Sequence, residues 1–168
     1  MSGEVTFGAA ISENRKHGSI IAAGRSDAGK ILVDLSPFYG LPRLLVARMD
    51  ALYMKHDPVA VVINPKSQSG TLVKPLEKRG IIAITPTAED VAVAHGEFLD
   101  LVNDGELEHL DQKPLTDAVR AALERPLAGA KALEPRLPVD QGPLVAAELA
   151  VWGFRRWEEL SKPGAWVL

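Results

Sequence analysis

The sequence of 168 residues contains no cysteine, which excludes a disulfide-stabilised scaffold and any metal site with thiolate ligands. Aromatic residues make up only 5% of the chain. No apolar run approaches the length of about 18 residues that a membrane-spanning helix needs. The N-terminal residues show no basic segment followed by an apolar stretch, so no secretory signal is predicted. We therefore expect a cytoplasmic protein that makes no contact with a membrane.

A strong excess of one charge is also lacking, because 19 Lys and Arg face 22 Asp and Glu, which gives a formal net charge of −3. This balance provides no overall attraction to nucleic acid, so any DNA contact must come from a local group of basic residues. The hydrophobic content of 46% is ordinary for a globular protein and excludes a disordered chain. The length predicts one domain over residues 1–168.

Sequence motifs of several enzyme classes are absent. No glycine-rich loop of the form Gly-x-x-x-x-Gly-Lys-Ser/Thr occurs, so this sequence carries no ATPase motor of that type. The Gly-x-Ser-x-Gly and His-Glu-x-x-His patterns are missing too, which argues against a serine hydrolase and a zinc protease.

Two kinds of periodicity divide the chain. The first 36 residues alternate short β-rich runs with polar turns, which predicts an antiparallel meander. After that point, helical spacing alternates with continuous apolar runs that are typical of strands buried on both faces. The predicted strands are Glu4–Ile11, Gly18–Gly24, Lys30–Leu35, Val59–Ile63 and Ile81–Ile84, with a short extended piece at Leu107–Leu110. The predicted helices are Pro42–His56, Ser69–Arg79, Thr87–Val102, Leu115–Leu123 and Pro143–Leu160.

The segment Arg125–Val139 is rich in proline and in basic residues, and it is predicted to form a projecting loop or hairpin. The order of elements predicts an α/β fold of the ribonuclease-H-like kind. Its mixed sheet would combine an antiparallel three-strand meander with parallel strands and would be flanked by helices. Other mixed α/β folds fit the same order, so the order alone does not indicate a function.

Several stretches, taken in order, resemble the nuclease domain of phage terminase large subunits, most like those of actinobacterial phages and prophages. These stretches are Val61–Pro65, Gly70–Leu72, Ala92–Phe98, Gly105–Gln112, Asp140–Ala147 and Leu149–Gly153. The resemblance implies an endonuclease that cuts double-stranded DNA during genome packaging. It also implies three protein partners, namely the terminase ATPase domain, the small subunit and the portal. Because this chain has no ATPase motif, the resemblance covers the nuclease domain only.

The resemblance further implies a centre of two Mg²⁺ or Mn²⁺ ions held by clustered carboxylates. Ala10 occupies the position of the first expected acid and Asn64 that of the second, so only Asp140 is still a carboxylate. Ala10 has no ligand atom, and Asn64 offers a neutral carbonyl oxygen. The predicted catalytic site therefore consists of Asp140, Asn64 and the position of Ala10, with Asp140 and Asn64 as metal ligands. Weak metal binding and little or no DNA cleavage are expected.

Other interpretations of these residues stay open. Asp140 also suits the start of the last helix, where acids are common, and Asn64 with the following proline is usually a turn. Basic residues of three loops are predicted to line a DNA groove: Arg15, Lys16, Lys66, Arg125, Lys131 and Arg136. Two other functions are considered: a catalytically inactive DNA-binding or assembly module of the same fold, and another ribonuclease-H-like nuclease such as a resolvase.

Overall fold

The structure is a computed structural model that describes residue 1 and residues 3–163. Its centre is a five-stranded sheet in the order β4-β1-β2-β3-β5. β1, β2 and β3 form an antiparallel meander, whereas β4 joins β1 and β5 joins β3 in parallel. The strands of this sheet are β1 (Thr6–Ile11), β2 (Gly18–Arg25), β3 (Ile31–Gly40), β4 (Ala60–Val62) and β5 (Leu107–His109).

Helices cover both faces of this sheet. One face packs against α1, and the other packs against α5 with α3 and α4 beside it. The helices are α1 (Leu45–His56), α2 (Val73–Glu77), α3 (Ala88–Asn103), α4 (Lys113–Ala121) and α5 (Gly142–Ser161). This mixed sheet between helical layers confirms the predicted ribonuclease-H-like architecture. None of the helices in residues 3–163 is long and apolar enough to cross a membrane.

The long helix α5 lies unusually close to the sheet. A Cβ atom added at Gly8 would stand 2.1 Å from the backbone oxygen of Ala146. Gly153 makes the reciprocal contact, since an added Cβ there would stand 2.6 Å from Cγ2 of Val62. Glycine at both points therefore lets the helix backbone rest directly on β1 and β4, which fixes where α5 begins relative to the strand ends.

Several predicted elements are confirmed in detail. Thr87 caps α3 by accepting from the backbone N–H of Asp90, whose carboxylate accepts in return from the backbone N–H of Thr87. The proline-rich segment forms a hairpin of β6 (Glu124–Leu127) and β7 (Ala130–Leu133), one of the two forms predicted for it. The short extended piece that was predicted before α4 joins the main sheet as β5.

Three predicted elements differ. The strand that was predicted to end at Leu35 continues to Gly40 as part of β3. Ile81–Ile84 was predicted to be a buried strand, but it forms only a single bridge between Ile84 and Val62. Ile82 is 70% exposed, because this segment lies at the sheet edge with β4 on one side only. The predicted helix Ser69–Arg79 is divided into a 3₁₀ helix, Gln68–Leu72, and the short α2.

Candidate functional site

Four neighbouring positions form a row across the sheet, on the face that α5 covers. Ala10 pairs with Ser19, and Ser19 pairs with Tyr39. The parallel register of β1 and β4 sets Gly8 beside Val62, and continuing it by two residues sets Ala10 beside Asn64. We call these four residues, from β4 to β3, the site row. The row contains two of the three positions of the predicted catalytic site, Asn64 and Ala10.

The middle of the site row has no metal ligand. Ala10 is 1% exposed and packs in the hydrophobic core beneath α5. The hydroxyl of Ser19 is buried without a hydrogen-bond partner among the described residues. Cross-strand neighbours on one face are about 5 Å apart at Cβ, so an aspartate at position 10 would give this hydroxyl an acceptor.

Asn64 ends the row on the β4 side, and its amide is fixed by its own turn. Its Oδ1 accepts from the backbone N–H of Lys66 at 3.1 Å, and its backbone oxygen accepts from the Ser67 hydroxyl at 2.8 Å. This pattern is the turn predicted as the alternative reading of Asn64. Oδ1 thus has one hydrogen bond and keeps a second lone pair, whereas Nδ2 has two N–H donors without an acceptor among the described residues.

Asp140 lies at the other end of the row, two residues before α5. Its Oδ1 accepts from the backbone N–H of Gly142 at 2.7 Å, and its Oδ2 accepts from the Tyr39 hydroxyl at 3.2 Å. Burial, followed by the nearby Asp140 carboxylate, raises the pKa of Tyr39 to about 12, so this phenol remains a donor at neutral pH. Asp140 thus binds the backbone N–H of the first residue of α5, although the N-cap itself is Gln141.

Asn64 and Asp140 line different clefts. The Asn64 cleft has a volume of about 470 Å³ and the Asp140 cleft one of about 440 Å³. Glu13, Pro135 and Arg136 line both clefts and so lie between them. Asn64 and Tyr39 are three strand spacings apart, roughly 14 Å at about 4.8 Å per strand. Asp140 contacts the β3 end of the site row through the Tyr39 hydroxyl.

The residues of the site row do not fit a centre of two metal ions. Such a centre needs several carboxylates around two cations about 4 Å apart. Within residues 3–163, no group of three or more His, Cys, Asp or Glu side chains is arranged to hold a metal ion. Asp140 already accepts at both oxygens, and Asn64 accepts at Oδ1. With one carboxylate and one neutral amide, the predicted ligands Asp140 and Asn64 supply too little negative charge for such a centre.

The predicted DNA-binding residues share a cleft in part. Four of the six predicted DNA-binding residues line the Asn64 cleft, and they are Arg15, Lys66, Arg125 and Arg136. Lys16 and Lys131 do not line it. The loops after β1 and β4 lie side by side as predicted, because Arg15 Nη1 donates to the backbone oxygen of Gln68 at 2.9 Å and to its Oε1 at 3.1 Å.

A cluster of one imidazole and two acids, of which Glu148 lines the Asn64 cleft, was missed by sequence reasoning. His95 Nδ1 is 2.7 Å from Glu148 Oε1, and His95 Nε2 is 2.7 Å from Glu124 Oε2. His95 is 3% exposed and Glu148 is 6% exposed. The hydrogen bond from Glu148 is the largest cause that raises the pKa of His95 to about 9. Burial raises the pKa of Glu148, and its hydrogen bond with His95 opposes that rise.

One signal for this cluster was present in the sequence. Glu148 is the only charged residue between Pro143 and Phe154, in the apolar part of α5. A lone charge in such a stretch indicates a buried partner, since an isolated buried carboxylate is costly. The identity of the partner was hidden, because His95 lies 53 residues earlier in the chain.

No protein-family model and no curated protein sequence matches this chain. Solved structures do match it. The large terminase of bacteriophage HK97 superposes with a TM-score of 0.67 at 13% identity, over 90% of this chain and 40% of that one. The large terminase nuclease of thermophilic phage G20c superposes with a TM-score of 0.67 at 16% identity, over 90% of this chain and 82% of that one. The chain has the fold of a large-terminase nuclease domain.

Crystals of the same G20c nuclease with bound magnesium show a similar likeness, with a TM-score of 0.64 at 14% identity over 88% of this chain and 79% of that one. That nuclease has also been crystallised with cobalt and with zinc. This chain spans 40% of the HK97 large terminase. This chain, the HK97 large terminase and the G20c nuclease therefore share one fold, whereas the bound metals are those of the G20c nuclease.

Proposed function

We propose that this chain is the nuclease domain of a phage DNA-packaging terminase, and that it binds double-stranded DNA with little or no cleavage. The observation that carries this proposal is the Asn64 cleft, where four basic residues surround the end of β4. Phosphates of a DNA backbone are the ligands that Lys and Arg side chains of a cleft recognise. The terminase-nuclease fold supports double-stranded DNA as the substrate.

Cleavage is expected to be weak because the carboxylates needed for it are missing. A phosphodiester is attacked efficiently when cations stabilise both the attacking and the leaving oxygen. Only Asp140 remains of the three expected acids, and it is hydrogen-bonded to Tyr39 and to the start of α5. The family's Mg²⁺ or Mn²⁺ would be held poorly here, so the chain is proposed to act by binding rather than by cutting.

The remaining partners are part of the same proposal. The chain would act as a single domain over residues 1–168 beside a terminase ATPase domain, together with a small subunit and a portal. Its place would be the cytoplasm of the bacterial host of a phage or prophage.

A plasmid-nicking assay with Mg²⁺ and with Mn²⁺ tests the catalytic part of the proposal. We expect no conversion of supercoiled plasmid beyond that of a buffer control, while a gel-shift assay shows binding of linear duplex. Robust cleavage that Asp140→Ala abolishes would overturn this part of the proposal. A preference for four-way junctions over linear duplex would instead favour the resolvase alternative.

Adding back the two missing acids provides a gain-of-function test. We expect the double variant Ala10→Asp/Asn64→Asp to nick plasmid faster than the parent chain. The unpartnered Ser19 hydroxyl can donate to an aspartate at position 10, which reduces the cost of burying it. Thermal melting of the double variant serves as the folding control. A well-folded double variant that binds duplex but still fails to nick would argue against descent from an active nuclease.

A further inference from the structure

The Asn64 cleft contains a set of hydrogen-bond donors where the related nuclease fold suggests metal ligands. Asn64 Nδ2 donates no hydrogen bond to any residue that the structure describes, and Oδ1 is held by the N–H of Lys66. A carboxylate at this position would only accept, whereas the amide donates. Asparagine at this position therefore carries no charge that repels a phosphate, and it offers the phosphate an N–H donor.

Arg15 is held in place to present the rest of its guanidinium group. Its Nη1 donates to Gln68 and its Nη2 donates to Thr71 Oγ1 at 3.2 Å, which fixes the plane of the group. Its Nε donates to no residue in the described part of the chain, so this edge is available to a ligand in the cleft. A fixed guanidinium edge is well suited to the paired oxygens of a phosphate.

Three acids also line the cleft. Glu13 lies 3.8 Å from Arg136, Glu148 is hydrogen-bonded to His95, and Glu134 accepts from the backbone N–H of Arg136. Arg15, Lys66 and Arg125 form no ion pair with any residue in the ranges that the structure describes. These three cations are consequently the part of the cleft whose charge is available to an anion.

We propose that the Asn64 cleft is a metal-independent phosphate site, in which Asn64 Nδ2, Arg15 and Lys66 bind a backbone phosphate of DNA directly. The inference rests on the proposed function and deepens it, because it states how the phosphate is held. Protein cations and an amide donor take the role that divalent ions have in bridging an acidic site to a phosphate. Duplex binding by this chain then needs no divalent cation.

Fluorescence anisotropy with a labelled duplex, in EDTA and in Mg²⁺ at matched ionic strength, tests the first consequence. We expect the dissociation constants of the parent chain in the two buffers to agree within about twofold. Binding that requires Mg²⁺ would overturn the metal-independent site and leave the proposed function standing. A parent chain that binds no duplex in either buffer would overturn both.

Substitution of Asn64 tests the second consequence. In EDTA, Asn64→Asp is expected to weaken binding by about tenfold or more, because it removes a donor to a charged group and adds a charge that repels phosphate. Asn103→Asp makes the same change in charge at the exposed end of α3 and is expected to leave affinity unchanged. Equal effects of the two variants, or no effect of Asn64→Asp, would overturn the site.

Asn64→Ala provides a second variant that adds no charge. It removes the amide donor, so we expect binding in EDTA to weaken by a factor of about three to ten. Thermal melting of each variant shows whether it folds. A folded Asn64→Ala variant with the affinity of the parent chain would contradict the role of Nδ2.

Discussion

His95 lies between two glutamates, with one carboxylate oxygen 2.7 Å from each ring nitrogen. Both ring nitrogens can donate only when the imidazole is protonated, which is the state that the raised pKa of about 9 favours. The cluster joins α3, α5 and β6, so it fixes the hairpin that carries Arg125 against the body of the domain. A single protonated side chain therefore helps to shape the Asn64 cleft.

Removing His95 is expected to cost much of the stability of the domain. His95→Ala leaves the Glu148 carboxylate buried without its cation, and breaking a buried pair in this way costs about 3–5 kcal/mol. Urea denaturation measures the loss. His109→Ala serves as the control, because that histidine is exposed and accepts only from the backbone N–H of Asp111. Similar losses from both substitutions would contradict the importance of the buried cluster.

The same histidine predicts how stability depends on pH. Its pKa is raised from 6.5 to about 9 in the folded state, so its stabilising contribution is complete below pH 6.5 and is lost as the pH rises through 9. The hydrogen bond with His95 lowers the pKa of Glu124. The contribution of Glu124 to stability is therefore present above about pH 4.5 and is lost on acidification. We expect urea midpoints to fall between pH 7 and pH 9, and this alkaline fall to shrink in His95→Gln.

At the scale of elements, the close packing of α5 on β1 sets the position of Asp140 relative to the site row. Gly8→Ala places a methyl group 2.1 Å from the backbone oxygen of Ala146, and neither backbone can move alone. We expect a loss of about 3 kcal/mol, at the upper end for overpacked sites. Gly96→Ala, on α3 with nothing within 4 Å of the added carbon, should instead stabilise the domain by about 0.5–1 kcal/mol.

Thermal or urea unfolding distinguishes these two glycine variants. Opposite signs for the two free-energy changes support the close contact of α5 with the sheet. A Gly8→Ala variant as stable as the parent chain would show that α5 lies farther from β1 than described here.

For the whole molecule, an acidic chain is proposed to bind an acidic ligand. The net charge of −3 repels DNA at long range, so binding depends on the few cations of the Asn64 cleft. If three or four phosphates are neutralised, the logarithm of the binding constant should fall against that of the salt concentration with a slope of about −3 to −4. A salt titration by fluorescence anisotropy measures it, and Arg15→Ala should reduce the slope by about one. A slope near zero would exclude binding through phosphates.

The sequence by itself determined the elements and much of the fold. The meander, the buried strand β4, the Thr87 cap and the basic loops follow from patterns within about ten residues, where side-chain period and capping act directly. The prediction of a buried strand at Ile81–Ile84 was wrong, because burial there depends on a neighbouring strand that the local pattern does not specify. The absence of a carboxylate at positions 10 and 64 was also visible in the sequence.

Only the tertiary structure decided how the site is assembled. Tyr39 holds Asp140 from 101 residues away, and His95 meets Glu148 across 53 residues, so neither contact leaves a local signal. The direction of the Asn64 side chain depends on its turn, and Glu13, Pro135 and Arg136 separate the two clefts. Residue type sets what a side chain is able to bind, but the distance between two such side chains is set by packing.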